Sequence, residues 1–137
     1  MTVFLTDDSL AIIERLREML SALPGIQIAG TALDVPEAIR SIHDIRPEAV
    51  ILDLHLPTGS GLEVLRKVKG ETPETIVVVL TNYAFPQYQK KCVDAGADAF
   101  LDKSTQFTEV AQVLRQLGIR AGYIQGPPAS PSAVLWP

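Results

Sequence analysis

Five short apolar runs punctuate the chain, at residues 3–5, 26–28, 49–52, 76–80 and 99–101. Each has the length of a strand, and the third and fourth are nearly unbroken and rich in β-branched residues. Parallel strands covered by helices on both faces have that character, whereas a half-exposed strand alternates. Between the runs, apolar residues recur at helical spacing over 10–23, 35–43, 62–68, 87–95 and 107–117. The spacing therefore predicts strand followed by helix, five times over. Such alternation with short connections implies right-handed crossovers that place helices on both sides of one sheet. The expected fold is a doubly wound α/β unit with a five-stranded parallel sheet.

Local signals mark the boundaries. Ser9 is placed to cap the first helix and Ser104 or Thr105 the last, while Leu23-Pro24-Gly25 should stop the first. Asp94-Ala95-Gly96 reads as a helix ending at glycine. After Gly122 the run Gly126-Pro127-Pro128-Ala129-Ser130-Pro131 cannot hold a helix or a central strand. Residues 1–121 are thus expected to form the folded domain. Residues 122–137 are expected to form a Pro-rich tail or truncated linker, or a docking peptide carrying the only tryptophan, Trp136.

Composition narrows the class. A chain of 137 residues, 47% of them hydrophobic, suits a single core. Twelve basic against sixteen acidic residues supply no cationic surface for a phosphate backbone, which argues against direct nucleic-acid binding. The single Cys92 cannot form an internal disulfide, no apolar stretch nears the ~20 residues that cross a bilayer, and no signal peptide is evident. A cytoplasmic location without membrane attachment is the expectation.

The polar residues that interrupt the strands stand where the apolar runs stop. Asp7 and Asp8 follow the first, Asp53 closes the third, Thr81 follows the fourth and Lys103 follows the fifth. In an open parallel sheet the carboxyl ends of the strands share one edge, so these residues should converge. Three carboxylates at ~4 Å repel by ~1 kcal/mol per pair in bulk water and ~4 at an effective dielectric of 20. Lys103 offsets one charge, and the remainder suits a hard divalent cation. Mg²⁺ fits best, because it takes a few carboxylate oxygens, keeps several waters and accepts phosphate oxygens. Beside such a cation Asp53 is a plausible nucleophile toward a phosphoryl group.

The set Asp7-Asp8, then Asp53-Leu54-His55-Leu56-Pro57-Thr58-Gly59-Ser60-Gly61, then Leu80-Thr81, then Phe100-Leu101-Asp102-Lys103 resembles the receiver domains of bacterial response regulators. The resemblance covers residues 2–119. It implies a flavodoxin-like sheet of order 2-1-3-4-5, with Asp53 accepting phosphate from a sensor histidine kinase or histidine phosphotransfer protein. Asp7, Asp8, Asp53 and the main-chain carbonyl of His55 would hold Mg²⁺, for which Mn²⁺ can substitute. Thr81 resembles the switch hydroxyl and Phe100 the switch aromatic, and Lys103 would meet the phosphoryl oxygens. Pro57 and Gly61 match the family's shaped loop, with backbone freedom assigned to the glycine. A downstream protein would bind the face of the fourth helix, fifth strand and fifth helix, through which receivers also often form homodimers. Such a domain is a phospho-accepting switch with only autophosphorylation and autodephosphorylation activity.

Two departures stand out. Ser104 replaces the family's usual proline after the lysine, so a trans peptide or a remodelled loop is expected there. Asn82 and Tyr83 add bulk beside the site and, with His55, are expected to tune the lifetime of the phospho-aspartate. Alternatives are a receiver belonging to a DNA-binding regulator, a phosphorelay intermediate, or an aspartyl-phosphate hydrolase. The last resembles the haloacid-dehalogenase fold, but His55 occupies the place of its second aspartate and the chain has no room for a substrate cap.

Overall fold

A computed structural model of the chain describes residues 1–126. The expected tail beyond, including Trp136, lies outside the described residues. In order the chain forms β1 (Thr2–Thr6), α1 (Leu10–Ser21), β2 (Gln27–Ala32), α2 (Val35–Ile45), β3 (Ala49–Leu52), β4 (His55–Leu56), β5 (Gly59–Ser60), α3 (Gly61–Glu71), β6 (Ile76–Thr81), α4 (Pro86–Asp94), β7 (Ala99–Asp102), a 3₁₀ turn (Phe107–Glu109) and α5 (Val110–Ala121). Five strands form one parallel sheet in the order β2-β1-β3-β6-β7. Counted along the chain without the small β4–β5 hairpin, this is the expected 2-1-3-4-5.

Alternation along the strands splits the core in two. Val3, Leu5, Ile51, Val78, Leu80 and Leu101 pack with Ile13, Leu16, Leu20, Val113 and Leu114 of α1 and α5. Phe4, Val50, Leu52, Val77 and Val79 face the other way, onto Ala38 and Ile42 of α2, Val64 and Leu65 of α3, and Cys92 of α4. All residues of β3 and β6 are buried, which accounts for their unbroken apolar character. Burying every side chain of these strands leaves no room for polar alternation, and it fixes the register of the central ladder.

Several local readings hold. Ser9 Oγ accepts from the Ile12 N–H and caps α1, and Gly96 follows α4 with φ of +99°. No cis peptide occurs among the described residues, so Lys103–Ser104 is trans. Others are corrected. β2 runs on to Ala32, because Ala29, Gly30 and Thr31 continue a partly buried edge strand whose small residues gave no apolar signal. Gly30 is required there, since a Cβ would lie 2.9 Å from both Ile45 Cδ1 and Phe4 Cε2. α1 ends two residues before Leu23, with Ala22 as its cap. Neither Ser104 nor Thr105 caps the last helix, which begins in the 3₁₀ turn with no side-chain cap. Ser104 instead donates from N and Oγ to Asp102 Oδ1, at 2.8 and 2.6 Å, and folds the strand end on itself. Beyond Gly122, whose φ is +85°, Tyr123 and Ile124 return to α5 through N–H bonds to the Gly118 carbonyl, and Ile124 is buried.

Candidate active site at the carboxyl edge of the sheet

The site is assembled from four strand ends. Asp53 is reached through the register of β1 and β3, its N–H donating to the Thr6 carbonyl at 3.0 Å. The β6–β7 ladder ends at Thr81 opposite Asp102, and the Lys103 N–H donates to the Thr81 carbonyl at 2.9 Å. Parallel pairing thus brings Asp7, Asp8, Asp53, Thr81 and Lys103 to one edge, as the strand pattern predicts.

The carboxylates of Asp7, Asp8 and Asp53 each offer an oxygen within 4.8 Å of the others. Asp7 and Asp53 are buried, whereas Asp8 is exposed. Lys103 Nζ donates to Asp7 Oδ2 at 2.6 Å and to Asp53 Oδ2 at 2.9 Å, and its side chain is only 8% exposed. The ammonium therefore bridges the two buried carboxylates, and its single charge leaves two of the three carboxylates' charges uncompensated. Burial pushes the Asp7 carboxyl above the usual aspartate range, against the opposing pull of Lys103 and of the Ser9 N–H. Burial alone would lower the Lys103 pKa, but its hydrogen bonds to Asp7 and Asp53 win and raise it. The ammonium is thus locked in its charged form. Such a donor set, hard oxygens in excess of positive charge, fits a divalent cation of the magnesium type.

The main chain completes the site. Ser9 N donates to Asp7 Oδ1 at 2.9 Å and His55 N to Asp53 Oδ1 at 3.2 Å, which orients both carboxylates. The β4–β5 hairpin behind His55 turns through Thr58 at φ +61° and Gly59 at φ +148°. Backbone freedom is therefore needed at Gly59. Gly61, to which it was assigned, serves close approach instead: a Cβ there would lie 2.0 Å from the Asp53 carbonyl oxygen. Thr81 is fully buried and its Oγ1 accepts from the Tyr83 N–H at 3.1 Å. Phe100 is 9% exposed and packs with the α2–α3–α4 core. The exposed rings of His55 and Tyr83 meet with centroids 5.0 Å apart, a contact between residues 28 positions apart that only the fold could reveal.

Residues outside the site resolve more simply. His43 is exposed and its Nδ1 lies 3.2 Å from Glu71 Oε2. Cys92 is buried, and burial pushes its thiol up to about 11, which makes it an inert apolar group. Among the described residues no helix is long and apolar enough to cross a membrane.

Comparison with known proteins agrees with this geometry. The family model for the response regulator receiver domain matches residues 3–115. The DNA-binding transcriptional activator DevR/DosR of Mycobacterium tuberculosis is 30% identical over 116 residues, 85% of this chain and 54% of that protein. The response regulator protein VraR of Staphylococcus saprophyticus is 26% identical over 114 residues, 83% of this chain and 54% of its own length. The chain thus spans about half the length of the curated relatives it matches. Among solved structures, a LuxR-family two-component response regulator from Aurantimonas superposes with a TM-score of 0.77 at 26% identity, covering 89% of this chain and 84% of that one. A CheY-like receiver domain from Methanospirillum hungatei gives 0.81 at 21% identity over 88% and 95% of the two chains, which shows the shared fold. With its matched family model and its sheet order in agreement, the chain belongs to the response regulator receiver domain family.

Proposed function

We propose that Asp53 accepts a phosphoryl group from a histidine kinase or histidine phosphotransfer protein in a Mg²⁺-dependent reaction, and that this switches which protein the domain binds. The observation that carries the reading is Lys103 Nζ bridging Asp7 and Asp53 inside a cluster of three carboxylates. A buried ion pair built for stability would balance its charges; this one is in deficit.

Asp7, Asp8, Asp53 and the His55 main-chain carbonyl would hold the cation. When bound, Mg²⁺ supplies neutralisation of the charge that gathers on the transferring phosphoryl oxygens. An Asp53 carboxylate oxygen attacks phosphorus. The new O–P bond forms as the P–N bond to the donor histidine breaks, with its electron pair returning to the imidazole nitrogen. Lys103 stays protonated and moves its hydrogen bond from Asp53 to a phosphoryl oxygen. Thr81 exchanges the Tyr83 N–H for a phosphoryl oxygen, donating its hydroxyl proton in that bond, and Phe100 takes up space vacated by Thr81. The face formed by α4, β7 and α5 then presents a different surface to a downstream protein or a second copy of the domain. Water attack on phosphorus later returns the carboxylate and releases phosphate. The site is a cytoplasmic signalling switch with no metabolic substrate.

The test uses Mg²⁺ and beryllofluoride as a phosphoryl mimic, read by amide and methyl NMR on the full chain. Shifts at Thr81, Tyr83 and along α4 and β7, absent in Asp53→Asn, are expected. Shifts of equal size in both chains would contradict the reading. A second reading is favoured by the DNA-binding relatives: this receiver belongs to a transcriptional regulator whose output domain reads DNA. A longer reading frame encoding such a domain would establish it.

A further inference from the structure

A cavity of about 400 Å³ opens beside the phospho-acceptor, between the β4–β5 hairpin, the start of α3 and α4. That volume lies within the range of small-ligand sites. The partly buried Leu54 and Leu62 and the buried Cys92 line it from the protein side, and Tyr83 and Tyr88 from the side of solvent, at 41% and 38% exposure. No acidic residue lines it. Lys91 does, and its ammonium makes no ion pair or hydrogen bond among the described residues, whereas the neighbouring Lys90 is held by Asp94 at 3.1 Å. The two tyrosine hydroxyls are likewise without partners among the described residues. His55 and Ser60 of the hairpin add a polar margin, and Ser60 Oγ is already engaged by the Leu62 N–H. A mainly apolar and aromatic lining with one uncommitted ammonium and two free phenol hydroxyls complements a planar apolar body bearing a single negative charge.

We propose that this cavity binds a small aromatic carboxylate, with its ring against the aromatic and aliphatic lining and its carboxylate on Lys91, and that binding opposes phosphorylation. The opposition follows from Tyr83. Its side chain lines the cavity while its N–H holds Thr81 Oγ1 at 3.1 Å, so a ligand that fixes Tyr83 retains Thr81 in its present hydrogen bond. By linkage, phosphorylation must weaken the ligand by the same factor that the ligand weakens phosphorylation. This coupling rests on the reading of Asp53 as phospho-acceptor, whereas the binding itself does not.

The probe is 2-naphthoate, titrated into the ¹⁵N-labelled 137-residue chain, with the neutral 2-naphthamide as comparison. Saturable shifts at Leu54, Leu62, Tyr83 and Cys92 are expected, with Lys91→Ala weakening naphthoate about tenfold and naphthamide little. Tyr88→Ala should weaken both. No saturable binding, or naphthoate binding indifferent to Lys91→Ala, overturns the proposal. So does the appearance of the same shifts on raising protein concentration alone, which would make a second copy the occupant. The coupling is read on the chain bearing a mass-verified adduct from acetyl phosphate and Mg²⁺, where naphthoate affinity should fall severalfold; an unchanged affinity overturns it. Failure of the ligand-free chain to form any adduct would count against the phospho-acceptor reading and leave the binding result standing.

Discussion

Two largely buried lysines mark opposite edges of the same sheet, and their surroundings differ in kind. At the amino edge Lys69 Nζ donates to Asp98 Oδ2 at 2.8 Å, to the Thr75 carbonyl at 2.6 Å and to the Pro73 carbonyl at 3.2 Å. Asp98 Oδ2 also accepts from the Val77 N–H at 2.8 Å. One ammonium meets one carboxylate, every donor is used, and the group ties α3 to the starts of β6 and β7. At the carboxyl edge Lys103 meets two buried carboxylates with a third nearby. The first arrangement is satisfied and structural. The second holds more negative than positive charge, a state that costs stability and that a divalent cation would relieve.

Breaking the site by position rather than by charge should have the largest effect. Gly61→Ala places a Cβ 2.0 Å from the Asp53 carbonyl oxygen, so the chain must shift and stability should fall by about 3 kcal/mol in urea unfolding. Charge changes at the two edges should then differ in sign. Lys69→Met leaves Asp98 and the Thr75 carbonyl without their partner and should cost about 2 kcal/mol, a figure reduced because Asp98 is 32% exposed. Asp53→Asn, measured with chelator present, should instead stabilise by about 1 kcal/mol by removing one of three mutually repelling carboxylates. Equal losses at both edges would erase the distinction.

These contrasts were only partly legible in the sequence. The buried strands could be read because β3 and β6 are apolar throughout, and the site because a polar residue at the end of a parallel strand has one place to go. The apolar run at 26–28 marks only the start of β2, since an edge strand of Ala29, Gly30 and Thr31 carries no apolar signal. The cap assigned to Ser104 or Thr105 failed because Asp102 competes for the Ser104 N–H and hydroxyl. Gly61 stands out in the sequence, but its close approach to the Asp53 carbonyl cannot be told from conformational freedom without coordinates. The Lys69–Asp98 clamp joins residues about thirty apart with no local mark at all, and the resemblance groups His55 with Tyr83 beside the site without showing that their rings meet.

Titration sharpens the comparison further. The folded-state pKa of Asp7 is raised above its ordinary 3.8, so the folded chain holds this proton more tightly than the unfolded chain. Its favourable contribution is full below 3.8 and is lost as pH rises through the raised value. In chelator, the native chain should therefore lose stability relative to Asp7→Asn as pH rises above 3.8, and a constant difference would refute the burial account. A smaller, kinetic effect concerns the His55–Tyr83 ring contact. His55→Ala and Tyr83→Ala remove one side of a 5.0 Å ring contact and should open Asp53 to water. Asn82 stands beside them, exposed. Alanine or glycine at these positions should shorten the adduct lifetime severalfold in a timed mass assay; an unchanged rate would end the idea that they tune it.

The most direct measurement is the intact mass of the chain after incubation with Mg²⁺ and acetyl phosphate, beside Asp53→Asn. The charge-deficient edge predicts one labile phosphoryl adduct on the native chain and none on the variant. An adduct on both chains, or none on the native chain with Mg²⁺ shown to bind, would contradict Asp53 as the acceptor from this donor.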